Sequence, residues 1–268
     1  MDNRPIGVFD SGLGGLSTAR ELMNILPNES IEYLGDTGRV PYGNRGREII
    51  ESYARQDEAF LLGKNVKMII AACGTVSSVA ANTGAELSIP FLGVVEPAAR
   101  AAAKATKNGK IGVTGTAATI NSGSYESALK KINPDFEVIS VSCPLFVPIV
   151  EEGFISPDDE LTYIAATRYL TKIREFGVDT LILGCTHFPL ISGTISRVMG
   201  NDVTLISAGK AAAVECAKLL SDNDMLCDGR QERKNRFYVT DHPEGFYKTA
   251  DLFFSGDFDG EVNRVAIE

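Results

Sequence analysis

Two cysteines occupy the same setting at two places in the chain. Cys73 ends the apolar run KMIIAAC, Cys185 ends the run DTLILGC, and a small polar cluster follows each of them. A lone cysteine after a buried strand usually serves as a small apolar side chain. Two cysteines at matching positions favour thiol chemistry instead, because the start of a following helix offers free backbone N–H groups and a positive dipole end that stabilise a thiolate.

Two thiols on opposite sides of a ligand suit the inversion of a stereocentre. One thiolate removes a proton from a carbon atom, and the opposite thiol delivers a proton to the other face. The proton that is removed must be acidic, so it should lie next to a carboxylate or carbonyl group. The site must also stabilise the carbanion by hydrogen bonds that tighten in the transition state.

A histidine and an acidic pair extend this candidate site. His187 lies two residues beyond the second cysteine and could tune it or donate a proton, although a satisfied, partly buried histidine is the structural alternative. Glu151 and Glu152 follow the apolar stretch CPLFVPIV, where a carboxylate could orient an imidazole ring. A pair of acids near a helix start is otherwise usually solvated.

The glycine-rich segment FDSGLGGLST at 9–18 follows a predicted strand and precedes a predicted helix. It fits a dinucleotide-binding loop poorly, because Ser17 stands where a G-x-G-x-x-G fingerprint starting at Gly12 needs glycine, although Asp36 follows the next strand as a ribose ligand would. A tight turn explains the glycines but not Asp10 and Ser11 at the strand tip. A nucleotide- or small-ligand-binding module with structural cysteines is therefore an open alternative.

Short apolar runs recur between segments with helical spacing and predict an α/β fold. Runs that are apolar without alternation indicate parallel strands covered on both faces. At roughly 150 residues per domain, 268 residues predict about two domains. Strands are predicted at 6–10, 30–36, 67–73, 89–95, 110–115, 136–142, 179–185, 202–207, 236–240 and 262–267. Helices are predicted at 16–26, 47–63, 77–83, 96–106, 122–132, 158–176, 208–220 and 243–254.

A weak internal repeat links the two halves of the chain. IGVFDSG at 6–12 is similar to IGVTGTA at 111–117, and MIIAACGT at 68–75 is similar to LILGCTH at 181–187. The near-equal offsets predict two similar α/β halves, each with one cysteine at the carboxyl end of a strand. Open α/β sheets bind their ligands at these ends.

Composition excludes several other functions. The net charge is −9 without a long basic run, so nucleic acid and anionic membrane are poor partners. No apolar run is long enough for a signal peptide or a membrane span, which predicts a cytoplasmic protein. Five cysteines, no C-x-x-C pair and two histidines predict free thiols and no metal site. Packing or surface positions are predicted for Cys143, Cys216 and Cys227. A turn or helix entry without a functional role is predicted for His242.

The sequence resembles the cofactor-independent aspartate/glutamate racemase family over essentially its whole length. The blocks that carry the resemblance occur in the family's order and spacing. They are FDSGLGGL at 9–16, GDTGRVPYG at 35–43, IIAACGT at 69–75, GTAAT at 115–119, FVPIVEEG at 146–153 and LGCTHFPL at 183–190.

The resemblance implies a homodimeric enzyme that interconverts L- and D-glutamate for peptidoglycan without pyridoxal phosphate, metal or nucleotide. Cys73 and Cys185 would be the proton donor and acceptor, with Asp10 assisting the first, His187 the second, and Glu151 orienting His187. Asp36 would be a further acidic neighbour. The residues implied to hold the substrate are Asp10, Ser11, Tyr42, Gly43, Gly74, Thr75, Thr116, Thr119, Thr186 and His187. Two pseudo-symmetric domains, 1–96 with 208–268 and 97–207, would enclose the active site in a cleft.

One residue departs from the family pattern. The family usually has asparagine after the first cysteine, whereas this chain has Gly74. Glycine can offer the ligand only its backbone N–H. Gly74→Asn would restore the side-chain amide and is therefore expected to raise kcat/KM for glutamate. The departure keeps a racemase of another acidic amino acid, such as aspartate, as an alternative.

Overall fold

The computed structural model describes residues 1–230, 232–256, 258 and 260–267, which form two parallel sheets with helices around them. Every strand pair in these residues is parallel, as the uninterrupted apolar runs predict. The strands are β1 (Ile6–Asp10), β2 (Ile31–Gly35), β3 (Met68–Ala71), β4 (Phe91–Gly93), β5 (Lys110–Gly115), β6 (Glu137–Ser142), β7 (Thr180–Leu183), β8 (Thr204–Ser207), β9 (Arg236–Val239) and β10 (Val262–Arg264).

The two sheets share a strand order. The first sheet runs β10-β9-β2-β1-β3-β4 and the second runs β6-β5-β7-β8, so β2-β1-β3-β4 corresponds to β6-β5-β7-β8. The predicted internal repeat is thereby confirmed, because β1 matches β5 and β3 matches β7. The first sheet takes its strands from 6–93 and 236–264, and the second takes them from 110–207. Domain boundaries near 96 and 208 stay a prediction.

The helices lie between the strands and differ in places from the predicted ones. They are α1 (Leu16–Ile25), α2 (Arg47–Gly63), α3 (Gly74–Val79), α4 (Val95–Ala105), α5 (Ala117–Asn121), α6 (Ser124–Ile132), α7 (Phe146–Glu151), α8 (Glu160–Phe176), α9 (Ser192–Met199), α10 (Ala208–Asp222) and α11 (Pro243–Phe254). The predicted helix 243–254 is confirmed. The prediction of one helix at 122–132 is wrong at its start, because Gly123 with φ +66° caps α6 and separates it from α5.

Three further differences from the predictions concern α3, the short helices α7 and α9, and the last strand. The helix predicted at 77–83 begins earlier, at Gly74, directly after Cys73. The helices α7 and α9 were not predicted, because α7 is a single short apolar turn with Pro148 inside it and α9 is only eight residues long. The last strand is shorter than the predicted 262–267.

One apolar core joins the two sheets. Strand residues of the first sheet such as Ile70 and of the second sheet such as Ile182 belong to the same buried cluster, together with residues of α1, α4, α6 and α10. Two smaller clusters cover the outer faces of the sheets. Burial of the shared cluster fixes the strand ends of one sheet relative to the other. Of the helices in the described residues, none is long and apolar enough to cross a membrane.

Candidate active site

A cavity of about 380 Å³ lies where the carboxyl ends of strands from both sheets meet. In each sheet the strand order reverses at one place, between β1 and β3 and between β5 and β7, and ligands of such sheets bind at that reversal. Most of the predicted site residues line the cavity. They are Asp10, Ser11, Tyr42, Gly43, Cys73, Gly74, Thr75, Thr116, Glu151, Cys185, Thr186 and His187.

Two of the acidic and polar candidates lie behind the cavity wall. Thr119 is buried, and its hydroxyl lies 3.1 Å from the hydroxyl of Thr116, so it supports a wall residue. Asp36 is also fully buried and contacts Arg39, Tyr42 and Thr240 rather than the cavity.

Cys73 is a buried thiol beside an acid. It follows β3 and precedes the first residue of α3, and its Sγ–H donates to Oγ of Ser11 at 3.3 Å. Burial and the negative charge of Asp10 raise the pKa of Cys73 to about 12. This cysteine is therefore a protonated thiol at neutral pH, the form that donates a proton.

Asp10 presents one carboxylate oxygen without a protein partner. Its Oδ2 accepts a hydrogen bond from the backbone N–H of Gly12 at 3.0 Å, whereas its buried Oδ1 has no partner among the described residues. Burial raises the pKa of Asp10, while the charge of His187 opposes that rise. A buried oxygen without a partner is costly, so its position in a cavity wall points to a ligand with a donor group.

Cys185 is linked by polar contacts to His187, which in turn contacts Glu151. Nδ1 of His187 lies 3.8 Å from its sulfur, and Nε2 of His187 lies 3.1 Å from Oε1 of Glu151 at the end of α7. Burial disfavours the charged imidazole, but the hydrogen bonds to Cys185 and Glu151 outweigh it and raise the pKa of His187 to about 10. His187 can therefore take and hold a proton from Cys185. Glu152, the second acid of the pair, is exposed and outside the cavity wall.

The imidazole ring is held by packing as well. A Cβ atom on Gly14 would lie 2.6 Å from the ring, so only glycine lets the loop before α1 pass there. On another side, the ring of Phe253 from α11 meets the imidazole edge to face at 5.8 Å between centroids. Residues distant in sequence thus fix the orientation in which His187 faces Cys185.

Hydroxyl groups from the two halves meet at the cavity wall. Oγ1 of Thr75 lies 3.0 Å from Oγ1 of Thr116, and the backbone of Gly43 packs against the Thr116 side chain. These hydroxyl groups supply donors of the kind that bind a carboxylate. Among the residues that the structure describes, no group of three His, Cys, Asp or Glu side chains is arranged to hold a metal ion.

An apolar part of the cavity wall is not predicted from the sequence. Cys143, for which packing or a surface position was predicted, is buried but also lines the cavity. Burial and the charge of Cys185 raise its pKa, so it is a neutral thiol. It follows β6, the neighbour of β5, and the rule that parallel strands end at one edge could have located it. The other wall residues that were not predicted are Gly12, Leu13, Val40, Pro41, Asn44, Ala117, Pro144, Val147, Pro148 and Gly184.

Two parallel sheets that share a strand order and bring thiols from matching strand ends, Cys73 after β3 and Cys185 after β7, into a common cavity define an α/β enzyme class. Comparison with known proteins identifies the family. The profile of the Asp/Glu/Hydantoin racemase family matches residues 45–216. The chain belongs to this family and is a racemase, an isomerase.

Similar proteins cover the whole chain. A glutamate racemase from Geobacter metallireducens is 41% identical over 269 residues, which cover 100% of this chain and 98% of the relative. The solved structure of a glutamate racemase isoform from Bacillus anthracis is 37% identical with a TM-score of 0.94, and covers 99% of this chain and 98% of its own. The glutamate racemase from Francisella tularensis in complex with D-glutamate is 38% identical with a TM-score of 0.91 and the same coverage. These structures confirm the predicted α/β fold.

Proposed function

We propose that this enzyme interconverts L- and D-glutamate by a two-base mechanism in which Cys73 and Cys185 act on opposite faces of the α-carbon. The observation that carries the proposal is the pair of buried thiols in one cavity, each at the end of a matching strand, with Asp10 near Cys73 and His187 in contact with Cys185. The names of the relatives and the D-glutamate bound in one of them support glutamate as the substrate.

In one direction the reaction starts at Cys185. His187 holds the proton that the Cys185 thiol has given up, and the Cys185 thiolate removes the α-proton of the substrate, so that an S–H bond forms and the C–H electron pair stays on carbon. The thiol of Cys73 donates its proton to the opposite face and becomes a thiolate. In the other direction the cysteines exchange roles, with Asp10 assisting Cys73.

The asymmetry of the two sides fits this assignment. The Asp10 charge and burial keep Cys73 protonated, whereas Cys185 contacts an imidazole that holds a proton up to about pH 10. One side is thus prepared to donate a proton and the other to accept one. The free oxygen of Asp10 suits the substrate ammonium, and the Thr75 and Thr116 hydroxyls suit a carboxylate.

Racemisation in D₂O tests the mechanism. With L-glutamate and no added cofactor, the optical signal should decay to zero, and at early times the D-glutamate formed should carry deuterium at its α-carbon while the remaining L-glutamate carries little. Deuterium that appears equally in both enantiomers from the start would indicate one exchanging base and refute the proposal. Aspartate is assayed in parallel, and faster turnover of aspartate would reassign the substrate.

The biological setting is part of the same proposal. D-Glutamate is a building block of peptidoglycan, so the enzyme would supply cell-wall synthesis. Five free cysteines, two of them needed as thiols, suit a reducing compartment such as the cytoplasm. A homodimer is proposed from the family resemblance, and sedimentation equilibrium of the purified protein tests it.

A further inference from the structure

A buried polar cluster lies directly behind one wall of the cavity. It consists of Asp36 after β2, Arg39 and Tyr42 from the following loop, and Asp57 in the middle of α2. Asp36 and Asp57 are fully buried, and Tyr42 is almost so. The ring of Tyr42 lines the cavity wall, but its hydroxyl points away from the ligand space toward the two acids.

The hydrogen bonds in this cluster leave one proton to be accounted for. Oη of Tyr42 contacts Oδ2 of Asp36 at short range and lies 3.2 Å from Oδ2 of Asp57. A tyrosine has one hydroxyl proton, and an ionised carboxylate can only accept. Once the Tyr42 proton is donated to Asp36, the contact with Asp57 requires a proton on Asp57.

The charges of the cluster also indicate that Asp57 carries a proton. Arg39 is the cation of the cluster, with Nε 2.5 Å from Oδ2 of Asp36 and Nη2 3.1 Å from Oδ1 of Asp57. Asp36 also accepts from the Thr240 hydroxyl at 2.8 Å, so its ionised form has three donors. Two ionised acids against one guanidinium would bury a net negative charge, which is costly. Burial and the neighbouring charge of Asp36 raise the pKa of Asp57 well above its usual range.

We propose that Asp36, Arg39, Tyr42 and Asp57 form a positioning network, with Asp57 as a neutral carboxylic acid, that fixes the 40–44 segment and thereby sets the affinity for substrate. Residues 40–44 all line the cavity, and the Gly43 backbone packs on Thr116 from the other half. None of the four residues moves a substrate proton. The inference rests on the proposed glutamate activity, because substrate affinity is its readout.

Replacements at Asp57 separate hydrogen bonding from charge. Asp57→Ala removes the support of Tyr42 and Arg39 and leaves the loop free to shift, so KM for glutamate should rise about tenfold or more while kcat changes less than about threefold. Asp57→Asn keeps a neutral group that can donate to Tyr42 and accept from Arg39, so it should keep KM within about twofold of the parent.

The control is the next acid on the same helix. Glu58 is buried and accepts from the Thr83 hydroxyl at 2.5 Å, and it does not line the cavity. Glu58→Ala should lower the melting temperature without raising KM. If Asp57→Ala does not fold, Tyr42→Phe provides the test, because it removes only the buried hydroxyl and should raise KM.

Kinetics of these variants can overturn the positioning network in several ways. An Asp57→Ala or Tyr42→Phe enzyme with the parent's KM overturns the network, and so does an Asp57→Asn enzyme as impaired as Asp57→Ala, since that result would require a charged Asp57. An increase in KM for Glu58→Ala equal to that of Asp57→Ala also overturns it. A parent enzyme that does not racemise glutamate refutes the proposed function itself, whereas an active parent with unaffected variants refutes the network alone.

Discussion

A Cβ atom added to Gly74 would lie 2.1 Å from the carbonyl oxygen of Gly184, so the backbones of the two halves touch at this point. Gly74 follows Cys73 and Gly184 precedes Cys185, which places the contact beside both thiols. A Cβ at Gly184 would in turn lie 2.6 Å from the carbonyl oxygen of Thr114. Glycine at 74 therefore allows the two cysteine-bearing strand ends to approach each other, and glycine at 184 lets that residue lie against β5 of its own sheet.

This contact reverses the expectation for Gly74→Asn. Backbone cannot yield as a flexible side chain can, so a side chain at 74 should push the strand ends apart and lower kcat in both directions. A displacement near 1 Å can cost about a hundredfold in rate. We expect Gly74→Ala and Gly74→Asn to lose activity when kcat and KM are measured with both enantiomers. Gly63→Ala, where a Cβ meets nothing within 4 Å, is the control. A Gly74→Asn enzyme faster than the parent would show that the close approach is not required.

The two-thiol mechanism predicts that neither cysteine can replace the other. Cys73→Ala and Cys185→Ala should each reduce racemisation by at least about a hundredfold, because one face of the α-carbon then has no proton donor. Cys227→Ala removes a half-exposed thiol outside the cavity wall and should leave kcat unchanged. Circular dichroism of glutamate follows all three reactions. Retention of more than a few per cent of parental turnover in Cys73→Ala would exclude Cys73 as an essential base.

The Glu151 contact should control the protonation of His187. Glu151→Gln removes the negative charge that helps to raise the His187 pKa but keeps an oxygen that can accept from the ring, so the ring should lose its proton below the parent value of about 10. With two histidines in the chain, the imidazole proton signals are simple to follow by NMR, and His242 serves as the internal reference. An unchanged His187 titration would mean that the charge of Glu151 does not raise the His187 pKa.

The raised pKa of His187 also predicts how the stability of the protein depends on pH. Because the folded-state pKa of His187 is raised above the unfolded value of about 6.5, its stabilisation is fully present below that pH and is lost as pH rises through about 10. The stability difference between the parent and His187→Asn should therefore shrink between these pH values. Urea unfolding at several pH values measures it, and a difference independent of pH would contradict the raised pKa.

A buried ion pair at the opposite end of the strands should affect stability alone. Nζ of Lys67 lies 2.6 Å from Oε2 of Glu29, and both side chains are almost completely buried. Lys67→Met leaves the Glu29 charge without its partner, which should cost about 3–5 kcal/mol of unfolding free energy. Since neither residue lines the cavity, kcat of the folded variant should match the parent. The double variant Lys67→Met/Glu29→Met should recover part of the loss, and urea unfolding measures each difference.

The sequence by itself determined the α/β class, the strands and the matching strand-end positions of Cys73 and Cys185, because these depend on local patterns. Uninterrupted apolar runs specify buried parallel strands, and two similar runs that end in cysteine place both thiols at carboxyl strand ends. It also located Asp10 at a strand tip, since chain direction alone puts that residue at the same edge. The roles of these residues in catalysis stay predictions.

Only the tertiary structure decided which side chains from distant segments meet. Cys143 became part of the cavity wall through the packing of β6 beside β5, and Asp57 reached Tyr42 because the buried face of α2 lies behind the loop. The contact between Gly74 and Gly184 joins residues that follow strands of different sheets. Such distances depend on how the shared apolar core seats one half against the other, and no local pattern of residues encodes that geometry.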